Sequence, residues 1–203
     1  MLSILIPTWN NLPYLRLCVD SLRRHSVEPH EILVHVNDGG DGTLQWVRQQ
    51  GLAHTQTSGN VGVCLALNQL AARASGEWLL FLNDDMVCTP GWDTALAAAA
   101  RSSGPRPLFL SSMLVEPTVA RNDLVRFANF GTDPSSFDEA GLLAFAAASR
   151  FGDIAGAASQ PTLVRRADWN LVGGYSVEFS PGMSSDDDFL MKLWLVGCRS
   201  YHG

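Results

Sequence analysis

The sequence predicts an α/β fold in which helices flank a mostly parallel central sheet. Short apolar, β-rich runs alternate with helical patterns along the first half of the chain, which is typical of repeated strand and helix units. Several of these runs end in Asn, Asp and Gly, the residues that favour turns. The chain has 203 residues, of which 46% are hydrophobic and 17% charged, so it can bury a sizeable core.

Four strands are predicted in this half of the chain. They are Ser3 to Ile6, Glu31 to Val36, His54 to Thr57 and Glu77 to Leu82. Each is a short β-rich run, and the third has the weakest pattern. The second is stopped by the polar turn at residues 37–40.

A helix is predicted after each of the first three strands. The first has apolar residues at helical spacing, namely Leu12, Leu15, Val19 and Leu22. Asn11 is predicted as its N-cap. The second helix is expected at Leu44 to Gln50, and the third at Val63 to Ala74, ending near Gly76.

The charge balance argues against a nucleic-acid partner. The formal net charge is −6 and the pI is near 5.2, whereas binding to nucleic acids depends on clustered Lys and Arg. An anionic ligand would therefore need a metal ion or backbone amides.

The cysteines and the apolar runs predict a cytoplasmic protein. Cys18, Cys64, Cys88 and Cys198 are far apart in sequence and are interpreted as reduced thiols. No signal-like leader opens the chain, and no apolar run approaches the roughly 18–20 residues of a membrane span. Peripheral contact with a membrane remains an open alternative.

Polar and aromatic residues follow the predicted strands at their ends. In open α/β sheets, ligands bind beyond the carboxyl ends of the strands. Trp9, Asp38, Asn60 and Asp85 are therefore expected to converge at one edge of the sheet, although they are distant in sequence.

An acidic run, Asn83, Asp84 and Asp85, comes directly after the fourth strand. Carboxylates at such a place need a cation or strong donors. Hard oxygen ligands suit Mg²⁺ or Mn²⁺, and such an ion commonly completes its coordination with phosphate oxygens. A diphosphate is the partner that this run predicts, while a solvated turn before Pro90 and Gly91 would explain the run taken alone.

A second acidic cluster, Asp186, Asp187 and Asp188, begins an amphipathic helical pattern that contains Phe189 and Leu193. Free amides and the helix dipole at a helix start keep carboxylates ionised. An ionised, positioned carboxylate can act as a general base toward a hydroxyl group. Ordinary helix-start chemistry explains the cluster equally well when it is considered alone.

Five pieces of sequence occur in a recognisable order. They are Pro7-Thr8-Trp9-Asn10; the Asn-Asp-Gly-Gly-Asp-Gly-Thr run of residues 37–43; Gly59-Asn60-Val61-Gly62 leading to Asn68; Gly76-Glu77 with Asn83-Asp84-Asp85 and Pro90-Gly91; and Gly173-Gly174-Tyr175 with Glu178-Phe179. With these pieces the chain resembles the GT-A glycosyltransferases of family 2, over roughly residues 2–93 and 161–199. The resemblance implies an inverting sugar transfer from a nucleoside diphosphate sugar.

The resemblance assigns a nucleotide pocket to the first three pieces. Trp9 matches the aromatic residue that stacks on the donor base, and Asp38 matches the acid that hydrogen-bonds the base or ribose. Pro7 and Thr8 shape that pocket. Without the resemblance, Trp9 would be interpreted as a packing aromatic and Asp38 as a turn residue.

Further positions of the pocket follow in the same way. Asn60, Gly62 and Asn68 match the segment that borders the nucleotide. Ordinary alternatives are a turn for the glycine and a polar position on a helix for Asn68. Asp84 matches the acid beside the ribose.

The resemblance assigns the divalent metal, Mn²⁺ or Mg²⁺, to the acidic run. Asp85 matches the residue that holds the metal on the diphosphate. Asn83 stands beside it in the metal site, where the family often has another Asp, and this departure lowers the local negative charge and weakens the hold on metal when no donor is bound.

The family's second acidic motif aligns on Phe189, Lys192 and Gly197. This register makes Asp186 the base, whereas a shift by one residue would make it Asp187. Ser185 replaces the family's usual acid. Some members supply a downstream His to the metal, and His202 is too near the helix to be assigned that role.

The resemblance divides the expected single domain, residues 1–203, into two halves. Residues 1–104 form the nucleotide-sugar-binding half, and residues 105–203 form a smaller acceptor and catalytic-base half. Acceptor specificity in the family depends on the segment that corresponds to residues 105–165. Its aromatics are nevertheless interpreted as core: Phe127, Phe130, Phe137, Phe145 and Phe151. Its acids are expected to be solvated: Asp133, Asp138 and Glu139.

The expected partners are a UDP, dTDP or GDP sugar and an acceptor that is a glycan, a lipid or a small molecule. A non-catalytic nucleotide-sugar-binding relative, or a truncated inactive domain, is the alternative, because Asn83 and Ser185 both depart from the family pattern. A sugar-nucleotide pyrophosphorylase would have a Gly-rich basic loop after Ile6, which is absent. A plain cation-binding module would not need Trp9 or Asp38.

Overall fold

The computed structural model describes residues 1–104, 106–119, 122–149 and 160–198, and the backbone of residues 201–202. The strands are β1 (Leu2–Trp9), β2 (Glu31–Asn37), β3 (Ala53–Thr57), β4 (Trp78–Phe81), β5 (Phe109–Ser111), β6 (Leu114–Glu116), β7 (Val125–Phe127), β8 (Thr162–Arg165) and β9 (Tyr201–His202). The α-helices are α1 (Leu12–His25), α2 (Thr43–Gln49), α3 (Gly62–Ala71), α4 (Trp92–Ser102), α5 (Glu139–Ala148), α6 (Arg166–Val172) and α7 (Ser185–Leu195), and a 3-10 turn covers Val177–Phe179.

Seven of these strands form the central sheet, in the order β3-β2-β1-β4-β8-β5-β9. Strands β1 to β4 are parallel to one another, and β5 is parallel to β9. Strand β8 lies between β4 and β5 and is antiparallel to both. Strands β6 and β7 form a separate parallel pair. The predicted α/β fold with a mostly parallel sheet is confirmed.

The core consists of two apolar layers, one on each face of the central sheet. Along β1, Ile4 and Ile6 contribute to one layer and Leu5 to the other, as the two-residue period of a strand requires. Helices α1, α2 and α4 contribute to the first layer, and α3, α6 and α7 to the second. The sheet therefore fixes both groups of helices relative to one edge.

Strand β1 is longer than predicted and includes Pro7. Strand β4 pairs with β1 only as far as Leu5, while β2 continues to pair up to Trp9. Pro7 therefore lies where β1 has a single paired neighbour, a position at which a missing N–H is tolerated. This extension carries Thr8 and Trp9 to the end of the strand.

The start of α1 is capped differently from the prediction. Asn11 occupies the N-cap position, but its side chain makes no capping hydrogen bond. Asp41 instead accepts a hydrogen bond from the N–H of Leu12 at 3.0 Å and another from the N–H of Thr43 at 3.0 Å. One carboxylate thus serves the first turns of both α1 and α2.

The described aromatics of the middle segment, which the sequence predicted as core, belong to neither of the two core layers. Phe127 is 61% exposed. Phe130, Phe137 and Phe145 are half-buried, and the rings of Phe130 and Phe145 lie 5.7 Å apart. Phe151 lies outside the described residues. The prediction is wrong for Phe127, which lies in β7 of the separate two-stranded sheet and not in the central sheet that carries both core layers.

The acids of this segment have local partners. Asp133 accepts hydrogen bonds from Ser135 and Ser136, which lower its pKa to about 2. Asp138 caps α5 by accepting from the N–H of Gly141 at 2.9 Å. Glu139 is half-buried and contacts two side chains of α1, with an ion pair to Arg24 at 2.8 Å and a contact to His25 Nε2 at 3.3 Å. The expectation of plain solvation is therefore too simple.

All four cysteines lie in the described part of the chain, where they are buried and form no disulfide. None of the described helices has the length and apolarity needed to cross a bilayer.

A buried histidine joins β2 to β3. The Nδ1 atom of His35 is 2.7 Å from Thr55 Oγ1, and its Nε2 atom is 3.2 Å from Thr57 Oγ1. Burial lowers the pKa of His35 below its usual value of 6.5, because the charged ring would lose its hydration.

This histidine should make the stability of the protein depend on pH. Below about pH 6.5 the unfolded chain binds a proton at this position that the folded chain does not yet bind. The free energy of unfolding therefore decreases as the pH is lowered, by at most about 1.4 kcal/mol per pH unit. We expect His35→Gln to lose less stability than the wild type between about pH 7.5 and about pH 5.5 in urea denaturation. An equal loss in the two proteins would contradict this prediction.

Candidate functional site

A cleft of about 280 Å³ opens at the carboxyl ends of β1, β2 and β4. Seven residues proposed from the sequence line it: Pro7, Thr8, Trp9, Asn60, Gly62, Asn83 and Asp84. Four further residues complete the lining: Asn11, Asn37, Val63 and Pro181. The structure therefore brings residues from three strand ends together at one edge of the parallel sheet. Of the four residues expected to converge there, Trp9 and Asn60 line the cleft, whereas Asp38 and Asp85 lie outside its lining.

A hydrogen bond between Thr8 and Asp84 joins the first strand end to the acidic run. The buried Thr8 hydroxyl donates to Asp84 Oδ2 at 2.5 Å. Burial raises the pKa of Asp84, hydrogen bonds from Thr8 and Asn11 oppose that rise, and the negative charge of Asp85 adds to it. A carboxylate at this depth is costly to ionise without donors, so a ligand that brings positive charge would favour its ionised form.

The turns after β1 and β2 hold each other in place. Asn10 and Asp38 both have positive φ, 47° and 64°, a conformation that Asn and Asp adopt more readily than most residues. The Asn10 amide donates to Asp38 Oδ2 at 3.0 Å, and Asn10 Oδ1 accepts from the N–H of Gly39 at 3.0 Å. The Asp38 carboxylate is thus oriented at the surface.

Trp9 lies at the end of β1 with 57% of its surface exposed. A packing tryptophan would be buried, so its exposure removes the ordinary alternative considered for this residue. The ring offers a flat apolar wall to the cleft.

Asn37 is a residue of the cleft that the sequence did not identify. Its side chain is buried, accepts from the N–H of Val61 at 2.9 Å and donates to the carbonyl of Thr8 at 3.3 Å. It therefore ties β1 and β2 to the turn before α3. In the sequence, Asn37 looked like the first residue of a turn, and nothing distinguished it from its polar neighbours.

Gly62 is required by packing. It has a φ of +79°, and a Cβ placed there would lie 2.7 Å from the Cα of Pro181. The N–H of the next residue, Val63, donates to the carbonyl of Pro181 at 2.9 Å. Asn60 supports this turn by accepting from the N–H of Gly62 at 2.9 Å. The cleft wall is therefore in direct contact with the segment that leads to α7.

Asn68 lies outside the cleft lining. Its amide donates to the carbonyl of Tyr175 at 2.8 Å and accepts from the N–H of Tyr175 at 3.0 Å. Both ends of the side chain are occupied by one residue, which accounts for Asn68 without a nucleotide. The structure does not bring it together with the other nucleotide positions.

The three acids at the start of α7 have different environments. Asp186 Oδ1 accepts from the Tyr175 hydroxyl at 2.7 Å and from Gln160 Nε2 at 2.9 Å. Asp187 is exposed. Asp188 accepts from Ser176 Oγ at 2.7 Å and pairs with Lys192 at 3.3 Å. Asp186 is thus half-buried and oriented, whereas Asp187 faces solvent.

Strand β8 brings Asp186 to the same sheet edge as the cleft. Because β8 is antiparallel to β4, it begins where β4 ends, with Thr162 opposite Phe81. Gln160 lies two residues before Thr162 and holds Asp186. The aromatic ring of Tyr175, whose hydroxyl holds the same acid, packs on Phe81 at 6.2 Å.

The donors available for a metal ion are the acids after β4. Asp85 is exposed beside the half-buried Asp84, and Asn83 lies in the cleft wall. Within the described residues, no group of three or more His, Cys, Asp and Glu side chains could hold a metal ion by itself. His202 was not assigned to the metal, and its side chain lies outside the described residues.

Comparison with known proteins identifies similar chains. A family model described as "Glycosyl transferase family 2" matches residues 3–134 of the 203. The uncharacterized glycosyltransferase YwdF of Bacillus subtilis (strain 168) is 31% identical over 93 residues, which is 44% of this chain and 34% of YwdF.

Solved structures share the fold. S. aureus TarS 1-349 aligns with a TM-score of 0.70 and 20% identity over 98% of this chain and 57% of that one. The mannosyltransferase PcManGT from Pyrobaculum calidifontis aligns with a TM-score of 0.65 and 20% identity over 98% of this chain and 53% of that one. The chain thus spans little more than half of each of these two solved chains, and the matched part of YwdF is about a third of that protein.

We expect Gly62→Ala to destabilise the protein. A side chain at positive φ costs about 1–3 kcal/mol, and the clash with the Pro181 backbone adds to that cost. Urea denaturation measures the loss. Gly59→Ala is the matched control, because no described atom lies within 4 Å of its Cβ position. Equal stability of the two variants would contradict the assigned contact.

Proposed function

The chain belongs to glycosyl transferase family 2, and from that premise we propose that it moves a sugar from a nucleoside diphosphate donor to an acceptor hydroxyl, with inversion at the anomeric carbon. The observation that carries the proposal is the placement of two acidic clusters at one edge of the sheet. Asp84 lies in the cleft, and Asp186 is held at the same edge through Gln160.

The cleft supports a nucleotide as the donor's leaving group. Trp9 offers an exposed ring on which a base can stack, and Asp38 offers a carboxylate that can accept from a base or ribose. TarS 1-349 has been solved with UDP and with UDP-GlcNAc, and PcManGT with GDP-Man and Mn²⁺. We therefore propose a UDP, dTDP or GDP sugar as the donor.

The acids after β4 fit a divalent cation that is shared with the donor. Asp85 is an exposed carboxylate next to the half-buried, hydrogen-bonded Asp84. Mg²⁺ or Mn²⁺ commonly takes one or two carboxylates from the protein when phosphates supply other ligands. Asp85 would hold the ion, with Asn83 beside it. When bound, such an ion neutralises negative charge on the departing diphosphate.

Asp186 is the residue that we assign as general base. Its Oδ1 accepts hydrogen bonds from two donors, which fixes the direction of the carboxylate. Asp188 is paired with Lys192 and is not available for proton transfer. Asp187 is exposed and has no orienting contact among the described residues.

Transfer then follows from this placement. Asp186 accepts the proton of the acceptor hydroxyl while the acceptor oxygen attacks the anomeric carbon from the side opposite the diphosphate. Attack from the opposite side inverts the anomeric centre. The described residues that line the cleft include no Lys or Arg, which agrees with the net charge of −6 and with a need for a cation at the diphosphate.

The first test concerns the metal. We expect Asp85→Asn to weaken Mn²⁺-dependent binding of UDP, dTDP or GDP by roughly tenfold or more, the scale of losing a charged partner. Titration calorimetry with Mn²⁺ and with EDTA measures this effect. In EDTA the variant should bind no worse than the wild type, because an unpaired carboxylate repels a diphosphate.

Asp20→Asn, an exposed substitution on α1, is the matched control for this experiment. The metal assignment would be contradicted if neither EDTA nor Asp85→Asn changes the affinity for the nucleoside diphosphate.

The second test concerns the base. We expect Asp186→Asn to keep nucleotide binding and to lower turnover of UDP-GlcNAc or GDP-mannose by roughly 10²–10⁴-fold, the usual share of general-base catalysis. Release of the nucleoside diphosphate measures turnover. Asp187→Asn makes the same change at the neighbouring position and should lower turnover far less. The reverse pattern would move the base to Asp187, and normal turnover in both variants would exclude this cluster.

A further inference from the structure

From the contacts around Asp186, we infer that Tyr175 and Gln160 are positioning residues that fix one oxygen of this carboxylate and leave the other to take the acceptor's proton. The inference rests on the proposed function, in which Asp186 is the base. Both hydrogen bonds, at 2.7 Å and 2.9 Å, go to Oδ1. The described residues give Oδ2 no hydrogen bond, so this oxygen is available to an incoming hydroxyl.

Tyr175 is held rigidly and remains a donor. Its ring is 2% exposed and stacks on Phe189 with centroids 4.6 Å apart and planes 12° apart. Its backbone N–H and carbonyl are both bonded to Asn68. Burial, and then the nearby Asp186 charge, raise the pKa of Tyr175 well above its usual value of 10.0. The hydroxyl therefore keeps its proton and donates a hydrogen bond to Asp186.

The amide of Gln160 has one orientation that satisfies its neighbours. A carboxylate only accepts hydrogen bonds, so the NH₂ group must face Asp186. The amide oxygen then accepts from the Thr162 hydroxyl at 3.2 Å. Thr162 is paired with β4 in the sheet, which anchors the amide to a rigid element. Gln160 thus connects the base to the sheet edge.

The other charged or titratable groups near Asp186 in the described part of the chain make no hydrogen bond or ion pair with its carboxylate, apart from Tyr175. On α7, Asp187 is exposed, and Asp188 pairs with Lys192. On α3, the buried Cys64 is close enough to Tyr175 to contribute to the raised pKa of its hydroxyl. No cation of the described residues contacts Asp186. Two neutral donors therefore orient the carboxylate.

The bond changes of the proposed transfer explain why orientation matters. The acceptor O–H bond breaks as its proton moves to Asp186 Oδ2, and a bond forms between the acceptor oxygen and the anomeric carbon. The bond from the anomeric carbon to the diphosphate oxygen breaks, and its electron pair leaves on the diphosphate. A base that is displaced by about 1 Å can lose much of its effect on such a step.

Removal of either hydrogen-bond donor to Asp186 should lower the rate of the chemical step and leave binding of the nucleotide sugar unchanged. Tyr175→Phe keeps the stacked ring, and Gln160→Met keeps the approximate length of the side chain. We expect each to lower kcat for UDP-GlcNAc or GDP-mannose by roughly tenfold, the scale of a hydrogen bond to a charged group. KM for the donor and UDP affinity should stay within roughly twofold of the wild type.

A second variant gives a readout that a merely structural role would not change. Gln160→Glu places another carboxylate beside Oδ1, which favours the protonated pair, so the acidic limb of the pH–rate profile should move to higher pH. Ser176→Ala is the matched control, because it removes a hydrogen bond to Asp188 on the same helix and leaves Asp186 untouched. Its kcat should be close to that of the wild type.

The outcomes separate this inference from the proposed function. Normal kcat in Tyr175→Phe and Gln160→Met, with an unchanged profile in Gln160→Glu, would overturn the positioning role while wild-type turnover still supports the transferase. The positioning role would also be overturned if each variant that lowers kcat also lowers Tm and UDP affinity, because general damage to the fold would then explain the loss. If Tyr175→Phe does not fold, the two Gln160 variants decide. Wild-type protein that turns over no UDP, dTDP or GDP sugar would overturn the proposed function and this inference together.

Discussion

The pairing of β8 with β4 is the contact on which the arrangement of the site depends. The first half of the chain builds a parallel sheet whose strand ends carry Thr8, Asp38 and Asp84 to one edge. The helix that carries Asp186 comes about a hundred residues later in the chain. The antiparallel ladder from Phe81–Thr162 to Trp78–Arg165 brings this later segment against the first.

That ladder also explains why the second core layer reaches the site. Helices α6 and α7 pack with α3 on one face of the sheet, so Phe189 and Tyr175 share a layer with Leu67. Asn68, one residue further along α3, is thereby placed to bind the backbone of Tyr175. The packing of the core and the position of the proposed base are therefore parts of one structure, and a change in one should affect the other.

The acids of the site have distinct environments. Asp84 is half-buried and hydrogen-bonded, while its neighbour Asp85 is exposed. At the start of α7, Asp186 is oriented and Asp188 is paired with a lysine. The roles that we propose for these carboxylates therefore rest on their surroundings and not on their residue type.

The sequence by itself determined the fold class, the four parallel strands and the cleft positions that follow strand ends. These are consequences of local periodicity and turn chemistry, which adjacent residues carry. Only the tertiary structure decided that Asn68 binds Tyr175, that Gly62 packs on Pro181, and that Gln160 holds Asp186. Each of these contacts joins residues that are 26 to 119 positions apart, and the pairing of such distant residues depends on the direction of β8 in the sheet, which no local pattern encodes.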